Sequence, residues 1–152
     1  MSFAQGGGGG QEWEIHRFIG GWVRGFRVTM QFMSPNSSGF TPLERAVFRT
    51  ICETHPHDRE ALENQLATGA VLSRENTGHG FFTDFAVDRT ATPAIGGERL
   101  RQGPGEAKID GLEHGMGFVL WLEEGYADCL EGYCYGEDTS GIDFGVVGFG
   151  IL

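Results

Sequence analysis

Between Met116 and Tyr133 the side chains alternate with a period of two, and that pattern commits the chain to an antiparallel sheet. Met116, Phe118, Leu120 and Leu122 fall on one side, and Gly117, Val119 and Trp121 on the other. Glu123-Glu124-Gly125 reverses the chain and Tyr126–Tyr133 returns, which is a hairpin with a glycine in its loop.

The same period starts earlier. Residues 70–76 read as a strand, and Thr77-Gly78-His79-Gly80 as a turn. Phe81, Thr83, Phe85 and Val87 then alternate with Phe82, Asp84 and Ala86, giving one apolar and one mixed face. Residues 88–104 carry two Pro, three Gly and three Arg, which suits an exposed loop. Residues 106–112 form a weaker strand. A further strand over 143–149 is weakened by Gly145, Gly148 and Gly150.

Upstream the period is helical. Thr41 with Glu44 three residues on makes a capping box, and Pro42 takes the first helical position. Leu43, Ala46, Val47, Thr50 and Ile51 recur at helical spacing until His55-Pro56 stops the helix. Asp58 caps a second helix with Ala61, Leu62, Gln65 and Leu66 inward, and Gly69 supplies a left-handed residue to close it. The sequence thus predicts an α+β fold, a helical hairpin packed on a meandering antiparallel sheet of about four to five strands.

Residues 1–38 are unlike the rest. Five consecutive glycines, Gly6 to Gly10, precede a tryptophan-rich stretch without a lasting period. A disordered or loosely attached leader over 1–38 is expected, with the natural start at Met30 or Met33, and a single domain over 39–152. The rival expectation is a short strand over 15–19 or 22–28 that joins the sheet.

Charge narrows the partners. The formal net charge is −10, and no Lys or Arg follows Lys108. Such a surface repels nucleic acid and anionic membranes, since binders of either must neutralise phosphates. It attracts a basic partner. No window of apolar residues is long enough for a membrane span, and no secretory signal opens the chain, so a cytoplasmic location is expected. Three cysteines, Cys52, Cys129 and Cys134, make no disulfide framework and read as buried thiols, Cys129 beside an aromatic.

Three stretches of the chain carry a resemblance: TPLERAVFRTICETHPHDREALENQL, SRENTGHGFFTDFAV and EHGMGFVLWLEEGYADCLEGYCYGE. They are similar to a group of small uncharacterised bacterial proteins that share ENTG-x-GFF-like, HG-x-GF-like and LEGY-like segments. The resemblance spans roughly residues 40–138. It implies a domain of those limits and assigns no catalytic residues.

Several clusters merit a chemical reading. Cys52, His55 and His57 offer thiolate and imidazole within six residues, but zinc wants a fourth ligand and the sequence nearby supplies none. His79 and His114 sit in glycine-flanked turns beside Glu75 and Glu113, a general-base pattern if one sheet end gathers them. Arg74-Glu75-Asn76-Thr77-Gly78 reads as a salt-bridged strand end with an Asn turn. Neither glycine run fits a phosphate loop or a dinucleotide fingerprint, and no cofactor is implied. Trp121, Glu131, Tyr133, Tyr135, Glu137 and Asp138 combine aromatic anchors with an acidic rim. The leading expectation is therefore a non-enzymatic domain that binds a basic protein, as an immunity-type neutraliser does. The alternatives are a hydrolytic or small-ligand site at His79 and His114, and a housekeeping domain acting as a homodimer through a sheet edge.

Overall fold

The computed structural model describes strands Gln11–Ile19 and Trp22–Met30, and residues 39–97, 99–101 and 106–152. The chain divides into two compact units, Met1–Ser34 and Pro35–Leu152. In the first, β1 (Gln11–Ile19) pairs antiparallel with β2 (Trp22–Met30) in a two-stranded sheet of their own. These strands take in both stretches expected as alternative strands. The rest of the expected leader, residues 1–10, 20–21 and 31–38, lies outside the described residues.

The second unit runs α1 (Pro42–Thr54), α2 (Arg59–Ala67), β3 (Ala70–Asn76), β4 (Gly80–Ala86), β5 (Arg99–Arg101), β6 (Ala107–Ile109), β7 (Met116–Glu123), β8 (Tyr126–Cys134) and β9 (Phe149–Ile151). The strands form one antiparallel sheet in the order β3-β4-β8-β7-β6-β9, and β5 also pairs with β7. This corrects the expected sheet: it has seven strands, not four to five, and it is not a simple meander, because β8 lies between β4 and β7. Strand β5 was unforeseen, and it and β9 are three residues each, too short for a period of two to show. β5 lies inside the stretch expected to be a loop. The strand expected over 143–149 is displaced towards its end, because the Val146 and Val147 N–H groups both donate to the Asp143 carbonyl in a turn.

Helix α1 starts as its sequence requires. The Thr41 hydroxyl accepts from the Glu44 N–H at 3.2 Å, and the Glu44 carboxylate accepts from the Thr41 N–H at 2.8 Å. Leu43, Val47, Phe48, Ile51 and Cys52 form its buried stripe. Phe40, Phe48 and Phe85 meet edge to face, with centroids 4.8 to 5.6 Å apart, and join helix to sheet. Asp58 does sit at the start of α2, but its side chain makes no capping bond. Gly69 also serves differently from expectation. Its φ is not left-handed, and a Cβ there would strike the Phe40 ring, so the glycine is needed for room.

Two buried polar side chains fix the helices on the sheet. Gln65 of α2 accepts from the Ala127 N–H at 2.8 Å and donates to the carbonyls of Pro93 and Gly125, so its whole amide is satisfied. Glu44 does the same for α1. Besides its capping bond it accepts from Arg74 of β3 through both carboxylate oxygens, at 3.0 and 2.9 Å, and from the Thr83 hydroxyl of β4. Among the described residues, no helix is long and apolar enough to cross a membrane.

Glu44→Ala removes the carboxylate half of the capping box, takes away the Thr83 hydroxyl's acceptor and leaves Arg74 only the Gly39 carbonyl. The expected cost is about 3 kcal/mol, the low end for a buried pair broken from one side, because Arg74 is 40% exposed. Urea denaturation measures it. A double-mutant cycle with Arg74→Ala should show coupling, and additive losses would mean the pair contributes nothing beyond the cap.

Candidate functional site

The sheet order decides which turns meet. Strands β4 and β7 both run antiparallel to β8, one on each side of it, so their starting ends lie together, roughly 10 Å apart. His79 precedes β4 and His114 precedes β7. The topology thus brings both expected histidines to one end of the sheet. Between them emerges the continuation of β8, from Tyr135 to Ser140.

That continuation is latched on both sides. Towards β4, the buried Thr139 hydroxyl accepts from the Gly80 N–H at 2.9 Å and donates to the Asn76 side chain at 2.9 Å. Its N–H donates to the Gly78 carbonyl, and the Asn76 amide donates back to the Thr139 and Ile142 carbonyls. Gly80 has to be glycine here. Its φ is +133°, and a Cβ would overlap the Gly132 carbonyl. Towards β7, the Glu137 carboxylate accepts from the Glu113 and His114 N–H groups at 2.7 and 3.0 Å. Those two backbone bonds hold its carboxyl below the usual range. Asp138 is likewise held low, by bonds from the Ser140 side chain and backbone, with His79 nearby adding to the effect.

Glu137 interacts with His114 and Asp138 with His79, besides the Glu113 that precedes His114 in the chain. Among the described residues no side-chain hydrogen bond reaches either imidazole of His79 or His114. A general base needs its ring oriented by such a partner.

Four of the six expected binding residues share the sheet face turned away from the helices. The Trp121 indole donates to Glu131 at 2.8 Å, and the Arg99 guanidinium lies 5.7 Å over the indole. Tyr133 packs over Gly117, where a Cβ would overlap its ring, and meets Tyr135 edge-on at 5.7 Å. The Tyr135 hydroxyl donates to Glu106 at 2.7 Å, which raises its pKa, and the ring stays 43% exposed. Glu137 and Asp138 lie past the strand, in the latched loop. Glu106 and Arg99 were not foreseen, since Arg99 lies inside the stretch that reads as loop and Glu106 just after it.

Cys52, His55 and His57 diverge. Cys52 is buried in the core, and its thiol is pushed up to about 11 by burial, with Glu63 adding to the effect. The His55 ring donates through Nδ1 to the Ile51 carbonyl at 2.8 Å, and His57 is exposed. Among the described residues no group of three His, Cys, Asp or Glu side chains is placed to hold a metal. All three cysteines are free thiols, and Cys129 is buried opposite Trp121.

Two outcomes test these environments. Cys52 should resist alkylation at neutral pH until the chain unfolds, so its labelling rate in peptide maps should follow denaturant as global stability does. Rapid native-state labelling would contradict its burial. Glu137 has a folded pKa below its ordinary 4.5, so its bonds add stability above pH 4.5 that fades as pH falls through the lower folded value. Amide protection at Glu113 and His114 should drop in that acid window. Glu137→Gln should abolish the pH dependence.

Scans against protein-family models, curated proteins and solved structures each found no match, so the functional reading rests on this chain's own residues.

Proposed function

We propose that this chain is a non-enzymatic domain that captures a basic protein through the acidic end of its sheet. The supporting observation is an asymmetry between the two ends. At the β7–β8 turn, Glu123 and Glu124 share the Arg89 guanidinium, at 2.7 and 2.9 Å, which offsets one of their two charges. At the opposite end, Asp110, Glu113, Glu137, Asp138 and Asp143 lie in the loops after β6 and β8, and among the described residues none of them pairs with Lys or Arg. Five unneutralised carboxylates at one end give a directed field, which speeds encounter with a cation-rich surface. The exposed Tyr135 stands beside them as an aromatic anchor. A cytoplasmic neutraliser of a basic toxin is the role this chemistry suits.

The test compares wild type with an Asp110→Asn, Glu113→Gln, Asp138→Asn variant, whose amides keep acceptors for the loop bonds. Both are immobilised, exposed to host lysate at low salt and eluted on a salt gradient. Wild type should retain one basic protein, released by salt, with affinity about tenfold or more above the variant's. Equal retention by both chains would sink the reading.

A further inference from the structure

We propose that the edge of the sheet at β9 takes up an extended, basic segment of the partner as an added strand. The inference rests on the basic-partner reading and deepens it by naming how the partner binds.

The ladder between β6 and β9 fixes which backbone groups are left over. Leu152 N–H donates to the Glu106 carbonyl at 3.1 Å, and Asp110 N–H to the Gly148 carbonyl at 2.9 Å. Ala107 lies opposite Ile151, Lys108 opposite Gly150 and Ile109 opposite Phe149. Those bonds set the parity of an antiparallel pair: Gly150 exchanges its bonds with Lys108, and Phe149 and Ile151 turn their N–H and C=O groups away from β6. Among the described residues β9 pairs with β6 alone, and no other hydrogen bond reaches the backbone of Phe149 or Ile151.

Edges are normally blunted by charge, proline, a bulge or very short length, and β9, at three residues, has only the last of these. The opposite edge, β3, has a bulge between Val71 and Ser73 and carries Arg74 and Glu75. Residues 145–152 carry no charged side chain and no proline. Phe149 and Ile151 turn their side chains to the core, which holds the strand in place. Val146 and Leu152, flanking it, are 81% and 68% exposed. A Cβ at Gly150 would meet nothing within 4 Å, so the sheet face at this residue is open. An extended peptide gains backbone bonds from such an edge and side-chain contacts from its flanks.

Charge selects the occupant. Glu106 and Asp110 lie at the two ends of the β6–β9 ladder, with Lys108 between them. A second copy of this chain would bring two such acidic borders together, and like charges would oppose the pairing. A lysine- or arginine-bearing strand meets the opposite sign on both sides.

The experiment uses the whole ¹⁵N-labelled chain and three capped eight-residue peptides at low salt. One alternates lysine and valine, one is the same peptide N-methylated on its edge-facing amides, and one alternates glutamate and valine. The lysine–valine peptide should shift the Phe149 and Ile151 amides and slow their exchange. Methylation should weaken binding about tenfold or more, and the glutamate peptide should not bind. No response at Phe149 and Ile151 overturns the proposal. So does equal binding of the methylated peptide, although the acidic-end reading then survives as charge attraction alone. Equal binding of the glutamate peptide removes the basic partner and that reading with it. Concentration-dependent dimers that protect these two amides without peptide would overturn the proposal in favour of self-pairing.

Discussion

The placement of the first helix on the sheet depends on one buried carboxylate. Glu44 caps α1, receives Arg74 from β3 and receives Thr83 from β4, so three elements share one pair of oxygens. A carboxylate removed from water is costly unless its lone pairs are satisfied, and here four donors satisfy them. The arrangement also specifies register. Arg74 stands opposite Thr83 on β4, and sliding either strand by one residue would turn its donor to the other face. Gln65 completes the placement by tying α2 to the β7–β8 turn. With the helices fixed at these points, the phenylalanines of α1 and β4 meet edge-on and the apolar face is closed.

Once that face is closed, the sheet order determines where chemistry collects. Because β8 runs between β4 and β7, the loop that follows it passes between the two histidine turns. Asn76 and Thr139 hold that loop to one turn and Glu137 holds it to the other. The motif glycines serve this packing. Gly80 lets β4 begin against Gly132, and Gly117 makes room for the Tyr133 ring. The segments around Asn76, His114 and Tyr133 therefore have a packing role.

The parts of this arrangement legible in sequence were those written in local spacing. The capping box at Thr41 and Glu44, both helices and the alternation of β3, β4, β7 and β8 follow from neighbours within a few residues. Arg74 and Asn76 read correctly as a salt-bridged strand end with an Asn turn, although their partners lie 30 and 63 residues away. Strand β5 was not legible and β9 was legible only as a strand set too early, since three residues do not establish a period and their pairing is decided by partners elsewhere in the chain. The same holds for the site. Trp121, Glu131 and Tyr133 share a face because strand parity places them there, whereas Glu137 and Asp138 turn out to brace the loop that separates His79 from His114.

Loop bracing and surface charge do not compete at this end of the sheet, and that is why the two can coexist. The Glu137 carboxylate accepts backbone N–H groups, which are neutral donors, so its charge is stabilised and not cancelled. The same is true of Asp138 and Asp143, which accept from Ser140 and Gly145 N–H. Arg89 at the other end does cancel one of the two charges it meets. Bracing with amides instead of cations leaves a rigid loop that still carries its full negative charge. A binding surface for a cationic partner needs both properties, because a preorganised carboxylate loses little freedom when the partner arrives.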